Sequence, residues 1–573
     1  MKAKGQEESG AMLRAFLLGL VTVTGATVLA LEVLGTRVIG THFGSSLYVW
    51  AAVITVTLVC LSIGYAIGGR LADRLPRAWV LCVCVMLAGA SVLLVPWMTG
   101  VLVPLGERLG LAWGAIASAA ALFFLPLTLL AMAGPYVIRL RARSLAAMGS
   151  TSGAVYALST IGSVAGALAV SLWMIPALGT RASLLICSGT LIALGAVGLA
   201  VASRGRAIAA VLLAGLPYPL RPGQRALAGE LYHTESAYGD MRVIQRDVPG
   251  RGLYRMLMVN GIMQTGMPMD IDLVGPGEIL QTDSYYLELL PYFYSDLAAG
   301  RKGILIGLAG GMFPRVMEFY DIDWTAVEID VKVAELAKAY FGYRGAILGP
   351  GGRAHAVDLA RFPDRASPVM AEHLADADED HAADHAPSGP YRGRAVIQDG
   401  RKYLADHPGL VDFIVLDAYN SDTIPFHLIT REFFELVRGR LTADGLLAIN
   451  YIGPPGGDFV TDSLFRTLGE VFARRKLLAY RTRDDESAAQ VIIIFAFRGE
   501  PRTLLPLWQA DAFGGADRLS YDLTRRRVKA DRPAGTIITD DRNPIDLARA
   551  QTALAWRRDD RAAALARPGR SGE

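Results

Sequence analysis

The run GILIGLAGG at 303–311 is a short apolar strand that ends in glycines, and its reading decides the fold of the second half of the chain. Four runs of similar make follow it: WTAVEID at 324–330, RAVIQDG at 394–400, DFIVLDAY at 412–419 and GLLAINYI at 445–452. Helical stretches separate them. Near-continuous apolar strands that alternate with helices are covered on both faces, which means a mostly parallel, doubly wound sheet. The late runs LLAYRT (477–482) and QVIIIFAFR (490–498), separated by charged residues 483–486, read as a terminal antiparallel pair. That ending belongs to methyltransferase-type (Rossmann-type) sheets; nicotinamide-binding sheets continue with parallel strands.

Upstream, ELYHTESA, DMRVIQRD and YRMLMVN are three β-rich runs that make a small sheet over 230–267, and a long helix is expected around 277–299. Between the second and third strands of the α/β series, 345–393 is an acidic, alanine-rich insertion. It holds His373, His381 and His385 among six carboxylates, with no rigid element to fix them as metal ligands, so it is expected to be solvated and no metal site is assigned. In TDDRNPID (539–546), Asp540 and Asp541 are candidates to cap a helix or cover the cleft.

The first 220 residues are of another kind. A chain of 573 residues with 52% hydrophobic and 19% charged residues, and a mean hydropathy of +0.33, is too apolar for soluble domains alone. Six apolar stretches near 12–36, 47–70, 78–103, 111–138, 152–176 and 181–203 are each long enough to span ~30 Å of hydrocarbon. Basic residues alternate between the loops: Lys2, Lys4 and Arg14, then Arg70, Arg74 and Arg77, then Arg139, Arg141 and Arg143, then Arg204 and Arg206. Positive loops stay cytoplasmic, so both termini and the following domain are expected in the cytoplasm of a multi-pass inner-membrane protein. The run 207–220, with Pro217 and Pro219, reads as an interfacial linker. Overall charge is only +3, from 57 basic and 54 acidic residues, which gives no case for nucleic acid. Cys60, Cys82, Cys84 and Cys187 lie in apolar runs without zinc or redox spacing. The organisation is therefore a membrane domain of about six helices (1–220), a small β subdomain (221–275), a nucleoside-binding α/β domain (276–500) and a C-terminal extension (501–573).

In such a sheet the ligand binds at the carboxyl ends of the strands. Gly307, Gly310 and Gly311 end the first strand, where absent side chains let backbone N–H groups approach a ligand. Glu328 ends the second, about twenty residues on, the spacing at which a carboxylate accepts ribose hydroxyls. Asp399 and Gly400 end the third, where the acid is either an adenine acceptor or a helix cap. Asp417 ends the fourth, deep in the cleft. GLAGGMFPR holds no Walker lysine, so phosphoryl transfer is disfavoured and a nucleoside without phosphates, such as a sulfonium nucleoside, is preferred.

These residues carry a resemblance. The stretch from about 230 to 475 resembles the spermidine synthase (polyamine aminopropyltransferase) family through ESAYGDMRVI, VNGIMQTG, the glycine loop, VEID, QDG and LDAYNSDTIPFHLITREFF. EVLGTR, GGRLADR and YALSTIGSVAGAL look like the membrane half of its fused bacterial members. The resemblance implies an enzyme that moves an aminopropyl group from decarboxylated S-adenosylmethionine to putrescine or a related amine, with no permanently bound cofactor. It implies Asp417 as proton acceptor, Glu328 on the ribose, Asp399 and Gly400 on the adenine, and Gln264 and Pro425 lining the nucleoside pocket. Tyr419, Asn420 and Asp422 fall on the acceptor side, and a homodimer and contact with membrane lipid are further implications. The chain departs from the pattern at Ala309 and Asn420, where the family carries aspartates, at Leu287, where it carries a histidine, and at Gly239, where it carries a glutamine. The donor half thus reads as retained and the acceptor half as altered. Two other readings stay open: a transferase using ordinary S-adenosylmethionine, such as a methyltransferase, and a membrane transporter or sensor that only binds a nucleoside.

Overall fold

The structure is a computed structural model, and it describes residues 2–43, 47–141, 148–202, 229–236, 238–248, 252–269, 286–294, 298–317, 320, 322–363, 393–419, 423–482, 489–502, 526–532 and 534–541. The chain divides into two compact units, Met1–Arg225 with Thr234–Asp240, and Ala226–His233 with Met241–Glu573.

The first unit is helical: α1 (Lys2–Phe43), α2 (Leu47–Arg74), α3 (Ala78–Glu107), α4 (Leu111–Ala131), α5 (Ala133–Arg141), α6 (Met148–Ala169) and α7 (Ile175–Ala202), with a π-turn Val170–Met174 between the last two. Five stretches are long and apolar enough to cross a membrane, and the last, Met148–Val201, has 54 residues. At ~1.5 Å per residue it is more than twice the depth of a hydrocarbon core. Packing shows that it doubles back. Gly162 and Gly166 lie against Thr22 and Ala26, so α6 runs parallel to α1. Gly195 and Gly198 lie against Met86 and Cys82, and Gly89 against Ser188, so α7 runs antiparallel to α3. Both α1 and α3 oppose α4: Arg141, ending α5, donates to the Arg14 carbonyl at 2.7 Å, and Gly106 of α3 meets Gly114 and Ser118 of α4. The reversal falls at Gly179, whose φ of +81° and ψ of 166° only glycine adopts readily. The five stretches therefore fold as six segments.

One end of this unit gathers the arginine-bearing turns, where Arg139 bonds Asp73 at 3.0 Å and the Tyr136 hydroxyl donates to the Leu75 carbonyl. Trp50, Trp97, Trp113 and Trp173 are exposed near the helix ends remote from those arginines, and Trp79 is exposed beside Arg77. Arginines gathered at one end and exposed tryptophans at both are compatible with helices that could cross a membrane. Between helices small residues set the spacing, and the Ser163 and Ser188 hydroxyls reach the Gly25 and Gly89 carbonyls across it at 2.9 and 2.8 Å.

The second unit opens with an antiparallel sheet in the order β1 (Glu230–Glu235), β2 (Asp240–Val248), β3 (Gly252–Val259), β4 (Ile262–Pro268). The sequence reading has three strands here; the fourth follows a tight turn at Asn260 and Gly261, with φ of 50° and 78°. The larger sheet comprises β5 (Lys302–Ile306), β6 (Asp323–Glu328), β7 (Ala346–Leu348), β8 (Arg394–Ile397), β9 (Val411–Leu416), β10 (Leu441–Gly453), β11 (Leu477–Arg481) and β12 (Gln490–Phe497), in the order β11-β12-β10-β9-β5-β6-β8-β7. Strands β5 to β10 pair in parallel, while β12 runs antiparallel to β10 and to β11.

Strand β7 lies inside the region read as a solvated insertion: Ile347 is buried opposite Ala395, so the insertion's first part is sheet edge. Its histidines His373, His381 and His385 lie outside the described residues. The helix expected over 277–299 is, among the described residues, a 3-10 helix at Tyr286–Phe293. Pro291 lacks the N–H that an α-helix interior needs, and Leu287, Leu289, Leu290, Tyr292, Phe293 and Tyr294 are all buried, leaving no solvent-facing stripe.

Alternate residues of the strands feed two cores. Leu305, Phe413, Val415, Ala448 and Phe495 meet the 3-10 helix. Ile304, Ile306, Ile414, Leu416 and Ile449 meet α10 (Gly400–Asp406), α11 (Arg431–Arg440) and α12 (Phe459–Phe472); α8 (Met312–Met317) and α9 (Val331–Tyr340) complete the series. The C-terminal extension belongs to this unit, since Ile538 is fully buried and its carbonyl accepts the Arg431 N–H at 2.8 Å.

Replacing Gly179 by alanine puts a Cβ on a left-handed residue, and a loss of about 1–3 kcal/mol is expected. Thermal unfolding of the detergent-solubilised protein measures it; an unchanged midpoint would mean that the reversal lies elsewhere.

Candidate active site

Beyond β5 the chain moves outward through β6, and beyond β9 it moves the other way through β10, so the carboxyl ends of these two neighbours border a crevice. Gly307 follows β5 with φ +95°, and a side chain there would collide with the Asp417 carbonyl at the end of β9. Its glycine thus serves the approach of two strand ends. The Asp417 N–H donates to the Ile306 carbonyl at 2.9 Å, continuing the ladder to the rim.

Glu328, at the end of β6, is buried and accepts two backbone hydrogen bonds, from Leu308 and Asp330, each at 3.0 Å. Burial pushes its carboxyl up to about 7, against the pull of those N–H groups. The Gly310 N–H donates to the Thr265 hydroxyl at 2.9 Å, which ties the loop to β4 of the small sheet. The Gly307 and Gly311 N–H groups donate to the Val327 and Leu308 carbonyls, each at 2.8 Å, so the N–H groups of all three glycines, expected to face a ligand, are committed to protein acceptors, because the loop must first be held against β6 and β4. Each Glu328 oxygen keeps a second lone pair for a ribose hydroxyl. Ala309 holds φ +47° within the loop, and Gly311 φ +76°.

Asp399 caps α10 by accepting the Lys402 N–H at 2.9 Å, and its other oxygen meets His427 Nε2 at 3.0 Å. The His427 hydrogen bond, opposed by burial, holds this carboxyl below the usual carboxylate range. The cap reading and a ligand role are compatible, since each oxygen has a second acceptor site. Gly400 packs against Ile306, bringing the start of α10 onto β5. Pro425 opens the turn Phe426–Leu428 that carries His427. Arg401 donates to the His427 carbonyl at 3.0 Å and grips Asp540 bidentately at 2.7 and 2.6 Å. The Asp540 N–H in turn donates to Glu432 at 3.0 Å, so the C-terminal segment clamps the Pro425 turn.

Asp417 Oδ1 accepts from Asn450 Nδ2 at 2.8 Å, and the Tyr419 hydroxyl donates to the Asn450 carbonyl at 2.8 Å. Gln264 is half-buried on β4 beside Thr265. Asn420 and Asp422 lie outside the described residues. Leu287 is fully buried in the core, and Gly239 closes the β1–β2 turn, its carbonyl accepting the Ser236 N–H at 2.9 Å. Thr265, His427 and Asn450 went unassigned in the sequence. Asn450 had a signal, a polar residue near the carboxyl end of the apolar run GLLAINYI; Thr265 had the hairpin marked by Asn260-Gly261.

No family model matches the chain. Among curated proteins it is 23% identical, over 52% of its length, to a probable polyamine aminopropyl transferase of Bifidobacterium longum. It is 26% identical over 40% to an N-terminal histidine N-methyltransferase of Emericella nidulans, and 31% identical over 26% to a polyamine aminopropyltransferase of Vibrio vulnificus. The matches span 61%, 35% and 36% of those relatives' own lengths. All three are named as transferases. Among solved structures, spermidine synthase from Thermotoga maritima aligns at a TM-score of 0.34 with 15% identity, covering 51% of this chain and 84% of that one. Human methyltransferase-like protein 13 in complex with SAH aligns at 0.28 with 18% identity, covering 42% and 91%.

With a folded-state value near 7 against 4.5 unfolded, the Glu328 carboxyl stabilises the empty protein at low pH and loses that contribution as pH rises through 7. Ribose hydroxyls favour the ionised form, so methylthioadenosine should bind about tenfold more tightly at about pH 8 than at about pH 6, with proton release. Calorimetry in buffers of different ionisation enthalpy measures both. A dissociation constant flat across that range, or a pH dependence surviving in Glu328→Gln, would rule out this group as the ribose acceptor.

Proposed function

We propose that the chain is a membrane-anchored aminopropyltransferase of the spermidine synthase type, moving an aminopropyl group from decarboxylated S-adenosylmethionine to putrescine or a related amine. The observation that carries this reading is the Asp417 carboxylate at the β5/β9 crevice, beside the glycine loop and separated from the strand of Glu328 by β5 alone. Displacement at a carbon next to a sulfonium needs little activation of the electrophile. It needs a neutral amine held in line and a base for its proton. Asp417 is assigned as that base, Glu328 as the ribose acceptor, and Asp399 with Gly400 and Pro425 as the adenine site, with Gln264 beside them. Asp417→Asn is expected to abolish turnover while nucleoside affinity stays within about twofold, since the change removes the base and little else.

One observation favours a second reading. Ala309 presents a methyl group where the resemblance has an aspartate, so the loop carries no charge to repel the amino-acid carboxylate of ordinary S-adenosylmethionine, and the Emericella nidulans relative is named a methyltransferase. Mass spectrometry of products from both donors with a panel of amines separates the two. Methylthioadenosine with spermidine supports the first; adenosylhomocysteine from the ordinary donor sinks it in favour of the second.

The first unit is proposed to lie in the inner membrane in contact with lipid, its arginine-bearing end cytoplasmic, and a homodimer is carried over from the resemblance alone. Alkaline phosphatase fused after Ala202 should be inactive and a fluorescent protein there bright. The same pair fused at the C-terminus tests the catalytic unit, expected cytoplasmic; active phosphatase there would mean that the run 207–220 crosses and would overturn its reading as a linker.

A further inference from the structure

We propose that Asn450 sets Asp417 for proton transfer and is the second acceptor for the incoming nucleophile, which makes the acceptor substrate a primary amine. This deepens the transferase reading and rests on it, but it holds for either donor.

The placement follows from the sheet. Ile449 of β10 is opposite Leu416 of β9, so the next residues, Asn450 and Asp417, come side by side where the pairing of these two strands ends, with Asn450 still paired to Ile493 of β12. The carboxamide Nδ2 donates to Asp417 Oδ1 at 2.8 Å, which fixes the rotation of the carboxylate. The Tyr419 hydroxyl, donating to the Asn450 backbone carbonyl at 2.8 Å, ties the loop after β9 to the same residue of β10. On the other side of the carboxamide, Asn450 Oδ1 is buried and has no hydrogen-bond partner among the described residues. A buried acceptor left unpaired is costly, and such atoms concentrate where a ligand supplies the donor.

A neutral primary amine matches this pair of acceptors. Its nitrogen lone pair attacks the carbon next to the sulfonium, forming N–C as C–S breaks with its electron pair passing to sulfur. The sulfonium becomes a neutral thioether, and one nitrogen proton passes to the Asp417 carboxylate. The second N–H of the amine donates to Asn450 Oδ1 and fixes the nitrogen's orientation. A hydroxyl or a secondary amine has one hydrogen on the attacking atom and would leave Oδ1 unpaired.

The full chain in detergent is assayed as wild type, Asn450→Ala and Asn450→Asp, with the best primary amine and its N-methyl derivative, across pH. Expected for Asn450→Ala is a fall in kcat/KM of about 10- to 100-fold, loss of the preference for the primary amine, and an acid limb moved to higher pH, because the carboxylate has lost its donor. Asn450→Asp should move that limb further, since two adjacent carboxylates oppose each other's ionisation. Methylthioadenosine affinity should stay within about twofold in both, which a merely structural role would not preserve. Should the alanine variant fail to hold the nucleoside, Asn450→Ser carries the same expectations. An active wild type whose acid limb and amine preference are shared by every variant overturns this inference alone. A wild type inactive with both donors and every amine overturns the transferase reading, and this inference with it.

Discussion

The approach of Gly307 to the Asp417 carbonyl is the contact on which the site depends. A doubly wound sheet has one place where the chain departs in opposite directions from adjacent strands, and here it lies between β5 and β9. A side chain at 307 would occupy the space of that carbonyl and part the two strand ends. With glycine there, the Asp417 carboxylate after β9, the loop after β5 and the Glu328 carboxylate at the end of β6 lie within three neighbouring strands. The hydrogen bonds then follow in sequence. Leu308 reaches Glu328, Gly310 reaches Thr265, and the small sheet is drawn onto the loop. The cost of this arrangement falls on Glu328, a carboxylate taken out of water and compensated by two backbone donors.

What was legible in the sequence had a periodicity or a punctuation mark. The parallel strands and the closing antiparallel pair were readable because they are apolar along their whole length, and the acids at their ends stand out against that background. β7 was not, because three residues, Ala346–Leu348, give no period to read, and an acidic stretch follows them. The described part of the expected long helix, Tyr286–Phe293, is a 3-10 helix because of Pro291 and a cluster of buried aromatic residues, and that burial is a tertiary fact. Residues that act on other residues were the hardest to see. His427 matters through Asp399, Arg401 through Asp540 at a separation of 139 positions, and Asn450 through Asp417, and spacing carries no trace of such pairs.

The first unit obeys a simpler constraint. Nearly all of its described residues are helical, as a chain that could cross a membrane must be, since lipid would supply no partner for a backbone amide, and reversals fall on short turns or on a residue that tolerates unusual dihedrals. That is why a stretch of 54 continuous residues conceals two antiparallel segments. Hydropathy sees only its length, whereas the partners of Gly162 and Gly195 reveal its direction.

The two halves of the candidate site differ in how they would recognise charge. The half proposed for the donor is built from carboxylates fixed by backbone and side-chain donors: Glu328 by two N–H groups, Asp399 by Lys402 and His427. The half proposed for the acceptor has Asp417 accepting from the Asn450 carboxamide, with Tyr419 tied to the Asn450 carbonyl. A site meant to hold a dication gains from several carboxylates, since each charged hydrogen bond is worth roughly 1.5–3 kcal/mol. A site that must accept a proton from a neutral amine gains from having few, because adjacent carboxylates raise one another's affinity for protons and keep the amine charged. On the proposed reading, a carboxamide beside Asp417, where a carboxylate would oppose its ionisation, therefore favours readiness of the base over affinity for the cation.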